Sequence, residues 1–235
     1  MNPKKIFVLI VSLLFVIEVF TQNKVTEIRE VSSFKGIKVS SGISLFLTQG
    51  DEQSVMVQTD GRLIANVVTE VSNGILNVYC SKDLTKKPKM RNLSNINVYV
   101  TVIWLESIDV SSGSDLYCKQ RLQLEKLTVH CSSGSSANID VECIDLFLYT
   151  SSGADIKANG STINLTAKAS SGGDIMAREL ESVFANLTAS SGSDITASVS
   201  SEIEAYATSG SDITYYGNAI PKVIRQSSGG DVRKR

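Results

Sequence analysis

Histidine occurs once in this 235-residue chain, proline three times, and aromatic residues make up only 6% of it. The lone histidine, His130, has no partner set by any motif. It stands between Val129 and Cys131 on an alternating stretch that points it outward, so histidine-based catalysis is not expected. There is no Cys-x-x-Cys pair to nucleate a zinc site, no Gly-x-Ser-x-Gly elbow, no phosphate-binding loop and no His-Glu-x-x-His. An excess of charge of one sign is also missing. A net charge of −1 argues against nucleic acid as a partner, since that would need a strongly basic surface. Nothing in the sequence implies a cofactor. Beyond residue 17 no apolar run approaches the ~20 residues of a membrane-spanning helix.

The exception to that last absence is the start. "MNPKKIFVLIVSLLFVIEVFTQ" has Lys4 and Lys5 before an apolar-rich run from Ile6 to Ile17, which Glu18 ends. Residues 1–21 read as a secretory signal peptide, which places the mature chain outside the cytoplasm with no transmembrane anchor, in the periplasm, on the outer cell surface or secreted. Export permits disulfides. The four cysteines, Cys80, Cys118, Cys131 and Cys143, allow three pairings, and buried free thiols remain as good an expectation as one disulfide.

What the chain has in abundance is one octapeptide. "SSGSDLYC" begins at Ser111, "SSGSSANI" at Ser132, "SSGADIKA" at Ser151, "SSGGDIMA" at Ser170, "SSGSDITA" at Ser190, "TSGSDITY" at Thr208 and "SSGGDV" at Ser227. The glycines Gly113, Gly134, Gly153, Gly172, Gly192, Gly210 and Gly229 recur about every 19 residues. Three positions after them stand Leu116, Ala137, Ile156, Ile175, Ile195, Ile213 and Val232, with polar residues following, the alternation of a half-buried strand. Before each turn, Leu127, Leu146, Leu165, Ala185 and Ile203 form a second apolar column. One such unit cannot bury its apolar face alone, but stacked units can. The expected fold is therefore all-β: a right-handed β-helix or β-solenoid of two-sheet coils, with the glycines at a bend needing positive φ or close backbone approach.

The first half has the same grammar and another rhythm. "FKGIKVSSGISLFLTQGD", "SVMVQT", "LIANVVTEV" and "ILNVYC" read as strands separated by turns, and "SKDLTKKPKMRNLSN" as a solvated basic loop. The expected division is a signal peptide at 1–21, an N-terminal β subdomain at 22–105 that continues into the stack, and the repeat β-helix at 106–235.

These segments resemble one family. "FKGIKVSSGISLFLTQGDEQSVMVQTD", "NGILNVYC", "INVYVTVIWLESIDVSSGSD" and the serial SSGxDI turns are similar to the head GIN domain over residues 27–232. That family is described as auto-transporter adhesins of bacterial cell envelopes and also as a domain of unknown function. The resemblance implies a β-helical fold, and a role in adhesion is proposed for the family.

Chemistry is sparse. Asp115, Asp155, Asp174, Asp194, Asp212 and Asp231 each stand two after a turn glycine, with Ser136 interrupting. Carboxylates there can accept turn N–H and hydroxyl bonds. The rival reading is a calcium ladder on Asp155, Asp174, Asp194 and Asp212, although calcium-binding rolls use a nine-residue period that is absent here. An enzyme acting on polysaccharide would need an acid–base cluster in a groove, for which Lys157, Lys168 and Asp174 are the only candidates, and no spacing demands them. The expectation is thus a secreted or envelope binding module without catalytic residues, directed at surface polysaccharide or at an envelope or host surface protein. The alternatives are a polysaccharide lyase or hydrolase and a calcium-stabilised structural protein.

Overall fold

A computed structural model describes residues 24–81 and 96–235, so the expected signal peptide and most of the basic loop lie outside the described residues. Among the described residues, apart from one 3-10 turn at Ile64–Asn66, every regular element is a strand. The first half supplies β1 (Lys24–Ile28), β2 (Gly36–Val39), β3 (Ser44–Gln49), β4 (Ser54–Asp60), β5 (Val67–Ser72), β6 (Ile75–Cys80) and β7 (Asn97–Val102). Then follow β8 (Ser107–Val110), β9 (Asp115–Cys118), β10 (Leu122–Gln123) and β11 (Lys126–Cys131). The repeats form β12 (Ser136–Thr150), β13 (Asp155–Ala169), β14 (Asp174–Ser190) and β15 (Asp194–Thr208), and the chain ends in β16 (Asp212–Tyr216), β17 (Ile220–Ser227) and β18 (Asp231–Lys234).

The molecule is a β-solenoid, and its two inner columns are those legible in the repeat. Ile156, Ile175, Ile195 and Ile213 are register partners on consecutive coils, and each is at most 1% exposed. Leu127, Leu146, Leu165, Ala185 and Ile203 form the second ladder on the opposite wall. Neighbouring coils pair in parallel, so backbone N–H and C=O groups are satisfied along the stack axis while each apolar side chain packs on its copy ~4.8 Å away.

The two edges of the coil differ. At one edge the chain reverses through Ser-Gly, and both residues are left-handed: Ser152 has φ 55° and Gly153 φ 66°. Eight corners share this geometry. In the first seven the glycine N–H donates to the serine carbonyl of the neighbouring coil, from Gly42 to Ser112 and on to Gly210 and Ser228, at 3.1–3.2 Å. The ladder therefore crosses the corner unbroken. A Cβ built on Gly153 meets nothing within 4 Å, so glycine is required there by its φ and not by space.

The residue after the glycine points inward. Ser135 Oγ accepts from the Ser132 N–H at 3.0 Å and donates to the Val110 carbonyl at 2.8 Å, and Ser211 does the same with Thr208 and Ala189 at 3.0 and 2.8 Å. These hydroxyls are fully enclosed. Ser211→Ala should lower unfolding free energy by about 1–2 kcal/mol in a urea titration, because the Ala189 carbonyl loses its donor in a buried site.

Sequence order and stacking order part company in the first half. β2 and β3 flank the Ser41–Gly42 corner and pair in parallel with β8 and β9 on one side. On the other side they pair in parallel with β6 and β7. The coil at residues 36–49 is thus sandwiched between one formed later and the first repeat. Its "SSG" does not keep the period along the chain, yet it stands in the same corner column, with Gly42 N–H bonded to Ser112. β4 and β5 pair antiparallel to β7 and β6, and β1 pairs antiparallel to β4, closing this end with strands that cannot continue a parallel stack. At the other end, β17 and β18 leave Ile220 and Ile224 exposed.

Candidate functional site

Three surfaces could carry function: the Ser-Gly edge, the outer walls and the opposite bend.

Along the Ser-Gly edge the aspartates fall in register, Asp155 beside Asp174 and Asp194 beside Asp212. Three of the column's carboxylates accept bonds from the neighbouring coil. Asp174 Oδ1 takes the Asp194 N–H at 2.9 Å, Asp194 Oδ1 takes the Asp212 N–H at 3.3 Å, and Asp115 accepts from the Ser136 hydroxyl. Asp231 instead pairs with Arg233. Among the described residues no group of three or more His, Cys, Asp or Glu side chains is placed to hold a metal ion.

Partial burial, then the charges of Asp174 and Asp212, push the Asp194 carboxyl above its usual range, against the opposing pull of the Asp212 N–H. The folded chain thus holds this proton to higher pH than the unfolded chain does, and the ionised form costs stability at neutral pH. Asp194→Asn should therefore raise Tm at pH 7 by no more than about 2 °C, since the site is largely exposed. The gain should close as pH falls through the raised pKa towards the unfolded value of about 3.9. A scan of Tm against pH checks the sign.

The outer walls hold the remaining sequence candidates. His130 is exposed and stacks on Tyr149, with centroids 4.5 Å apart. Lys157 sits beside Asn138 and Met176 on one wall, and Lys168 sits beside Tyr149 and Thr188 on the other. Asp174 belongs to the turn edge, so Lys157, Lys168 and Asp174 share no groove. Tyr99, Phe46 and Tyr117 stack on one another, with centroids 5.0 and 5.5 Å apart, and Lys119 Nζ lies over the Phe46 ring at 4.3 Å. Phe46 is covered by a ring on each side, while Tyr117 stays 36% exposed. All four cysteines are free thiols, and burial pushes Cys118 and Cys131 up to about 12, which makes them inert packing groups.

The opposite bend is a different surface. A cleft of about 860 Å³ runs along it, lined from Trp104 and Gln123 to Gly217 and Asn218. It crosses seven levels of chain, a length of about 29 Å at the coil spacing. The bend is built by a slip in the inward phase: Cys143 and Leu146 both point in, and so do Thr162 and Leu165, with two residues between them instead of one. The pairing register is interrupted here, between Lys157 and Gly160 and between Ala177 and Glu181. Carbonyls around the bend are met by side chains: Ser182 Oγ donates to Ser198 O at 2.6 Å and Ser200 Oγ to Ser182 O at 3.1 Å.

The same slip turns apolar residues outward. Ile144 is 48% exposed and Ile163 45%, with Val183 next in the groove. Glu142, Ser161, Glu181 and Ser198 are register partners that line the groove beside them. The mouth is set by Gln49, whose amide donates to the carbonyls of Ile103 and Gln123 at 3.2 and 3.0 Å and accepts from the Gln123 N–H at 2.7 Å. That clasp ties the Trp104 loop to the first groove strand. Among the described residues that line it, none is Lys, Arg or His. The repeat alone does not single these residues out as a site. Their signal is the recurring "ECID", "STIN" and "ESVF", where an apolar residue breaks the alternation at a fixed place in each repeat.

Comparison with solved structures returns the same architecture. A protein described as a "putative adhesin" from Bacteroides fragilis superimposes with a TM-score of 0.83 at 18% identity, over 92% of this chain and 98% of its own. One described as a "Putative lipid binding protein" from Parabacteroides distasonis gives 0.68 at 15%, over 91% and 97%. A "putative adhesin" from that same organism gives 0.71 at 16%, over 90% and 97%. At these identities the likeness is one of fold. No curated protein matches the sequence. The profile of the family described as "Putative auto-transporter adhesin, head GIN domain" matches residues 33–219, and the chain belongs to that family.

Proposed function

We propose that this protein is an exported, non-catalytic binding module that holds an extended surface partner in the groove at the bend. One observation carries the reading: a continuous cleft with an exposed apolar row, Ile144 and Ile163, beside a polar row, Glu142 to Ser198, repeated coil after coil. Such a site fits a long partner better than a small compact ligand. Membership of an adhesin family and the apolar leader at residues 1–21 support placement at the cell envelope or beyond it. No helix among the described residues is long and apolar enough to cross a membrane. The neighbours described as adhesins and as a lipid-binding protein both fit a binding role. The aspartate column is turn chemistry in this reading: calcium should raise Tm no more than magnesium does, and Asp174→Asn should leave both responses alike.

The test is retention of the purified protein on intact bacterial and host cells. Wild type should be retained and Ile163→Asp, an exposed change that leaves the core intact, should not. Retention that ignores Ile163→Asp would remove the groove from the function.

A second reading rests on one further feature. Glu142 and Glu181 are two coils apart in the groove, about 9.6 Å along the stack, close to the carboxylate separation of inverting glycoside hydrolases. Release of reducing ends from a bound polysaccharide, abolished by Glu181→Gln, would establish turnover in place of binding.

A further inference from the structure

The groove has a chemistry that narrows its occupant, and this step rests on the groove being the binding site. Among the described residues, three carboxylates line it, Glu125, Glu142 and Glu181, and no cation does. Anionic ligands such as uronate or sulfated chains, fatty acids and anionic lipid headgroups would meet repulsion without a compensating partner. An extended peptide also fits poorly. Its same-side residues recur every ~6.6 Å or more, whereas the groove repeats every ~4.8 Å. A chain of neutral sugar rings suits the charge and the two rows: each ring offers an apolar C–H face for the Ile144–Ile163 row and hydroxyl donors for the carboxylate and serine row. At the mouth stands Trp104, 36% exposed, on the loop that Gln49 clasps to β10. An indole there can lie flat on one sugar face and donate its N–H to a hydroxyl.

We propose that the groove binds a neutral polysaccharide chain lying along the stack axis, with Trp104 stacking on one ring at the groove mouth and Glu142 and Glu181 accepting its hydroxyls.

Trp104 is the only tryptophan of the chain, so its fluorescence reports on this site alone. The full chain is titrated with neutral xylo-, cello- and laminari-oligosaccharides, with polygalacturonate, and with phosphatidylcholine vesicles. The neutral oligosaccharides should shift the emission, and the other two should not. By calorimetry, Trp104→Ala should weaken binding about tenfold. The double variant Glu142→Lys/Glu181→Lys should weaken neutral chains and admit polygalacturonate, which a purely structural role for these exposed carboxylates would not produce. A wild-type response to polygalacturonate or vesicles as large as to neutral sugars overturns the proposal, as does silence across the neutral set. If neutral sugars fail while cell retention still depends on Ile163, the saccharide is rejected and the groove stands. If retention ignores Ile163, the groove itself fails.

Discussion

Leu148→Asp should abolish the cooperative fold. Leu148 is fully buried in the column Val129, Leu148, Ala167, Leu187, Ala205, midway along the stack. Its burial contributes roughly 1.5–3 kcal/mol, all of which the substitution forfeits. The new carboxylate would stand among aliphatic side chains with no cation in reach, adding a desolvation penalty of several kcal/mol unless it stays protonated. Together these reach about 5 kcal/mol or more, comparable to the total stability of an ordinary domain. The expected observation is loss of the strand signal in far-ultraviolet circular dichroism, or a urea transition shifted close to zero denaturant. Leu148→Ala should be milder, about 2–5 kcal/mol, because it leaves a cavity and no charge. Lys168→Asp, on the outside of the same wall, should change stability by no more than about 0.5 kcal/mol. Equal behaviour of Leu148→Asp and Lys168→Asp would contradict the buried column.

Gly160→Ala is expected to be the most damaging glycine replacement in the repeats, well beyond Gly153→Ala. Gly153 sits at φ 66° with open space where a Cβ would go, so alanine there meets only the left-handed penalty of about 1–2 kcal/mol. Ser152 beside it already adopts φ 55° with a side chain. Gly160 is a different case. It lies at the opposite bend with φ 107°, and a Cβ would fall 2.1 Å from the Val141 carbonyl oxygen of the neighbouring coil. That oxygen is backbone and cannot rotate away, so the coils would have to separate. Backbone strain and overpacking together set a cost of about 3–5 kcal/mol, read as the shift in urea midpoint at constant slope. Because Gly160 lies where the register slips beside the groove, the soluble fraction of Gly160→Ala should also lose ligand retention.

The two substitutions also mark what was legible in the sequence. The corner glycines announce themselves by their period, and their conformational need follows from the local Ser-Gly geometry. Gly160 carries no such mark: it has no counterpart 19 residues on either side, and only the proximity of Val141 explains it. The same division holds for the polar columns. The aspartates are visible because they recur two places after each glycine, while the inward serine one place after it, Ser135 or Ser211, is masked by Ala154 and Gly173 in the same column. Its enclosure beside the previous coil's carbonyl appears only once coils are stacked.

By itself the sequence determined the all-β solenoid, the length of its repeat, the Ser-Gly corner and the two inner ladders. Each of these is a periodic, local property: alternation selects which side chains face in, and a fixed repeat makes every coil pair with its copy. The tertiary structure alone decided three things: the placement of coil 36–49 between β6–β7 and β8–β9, the antiparallel closure of that end, and the groove that joins Trp104 to Ile144, Ile163, Glu142 and Glu181. Strand partners far apart in sequence leave no period to read. Outward residues are not constrained by burial, so the groove exists only where the phase slip of one coil is stacked on the slip of the next.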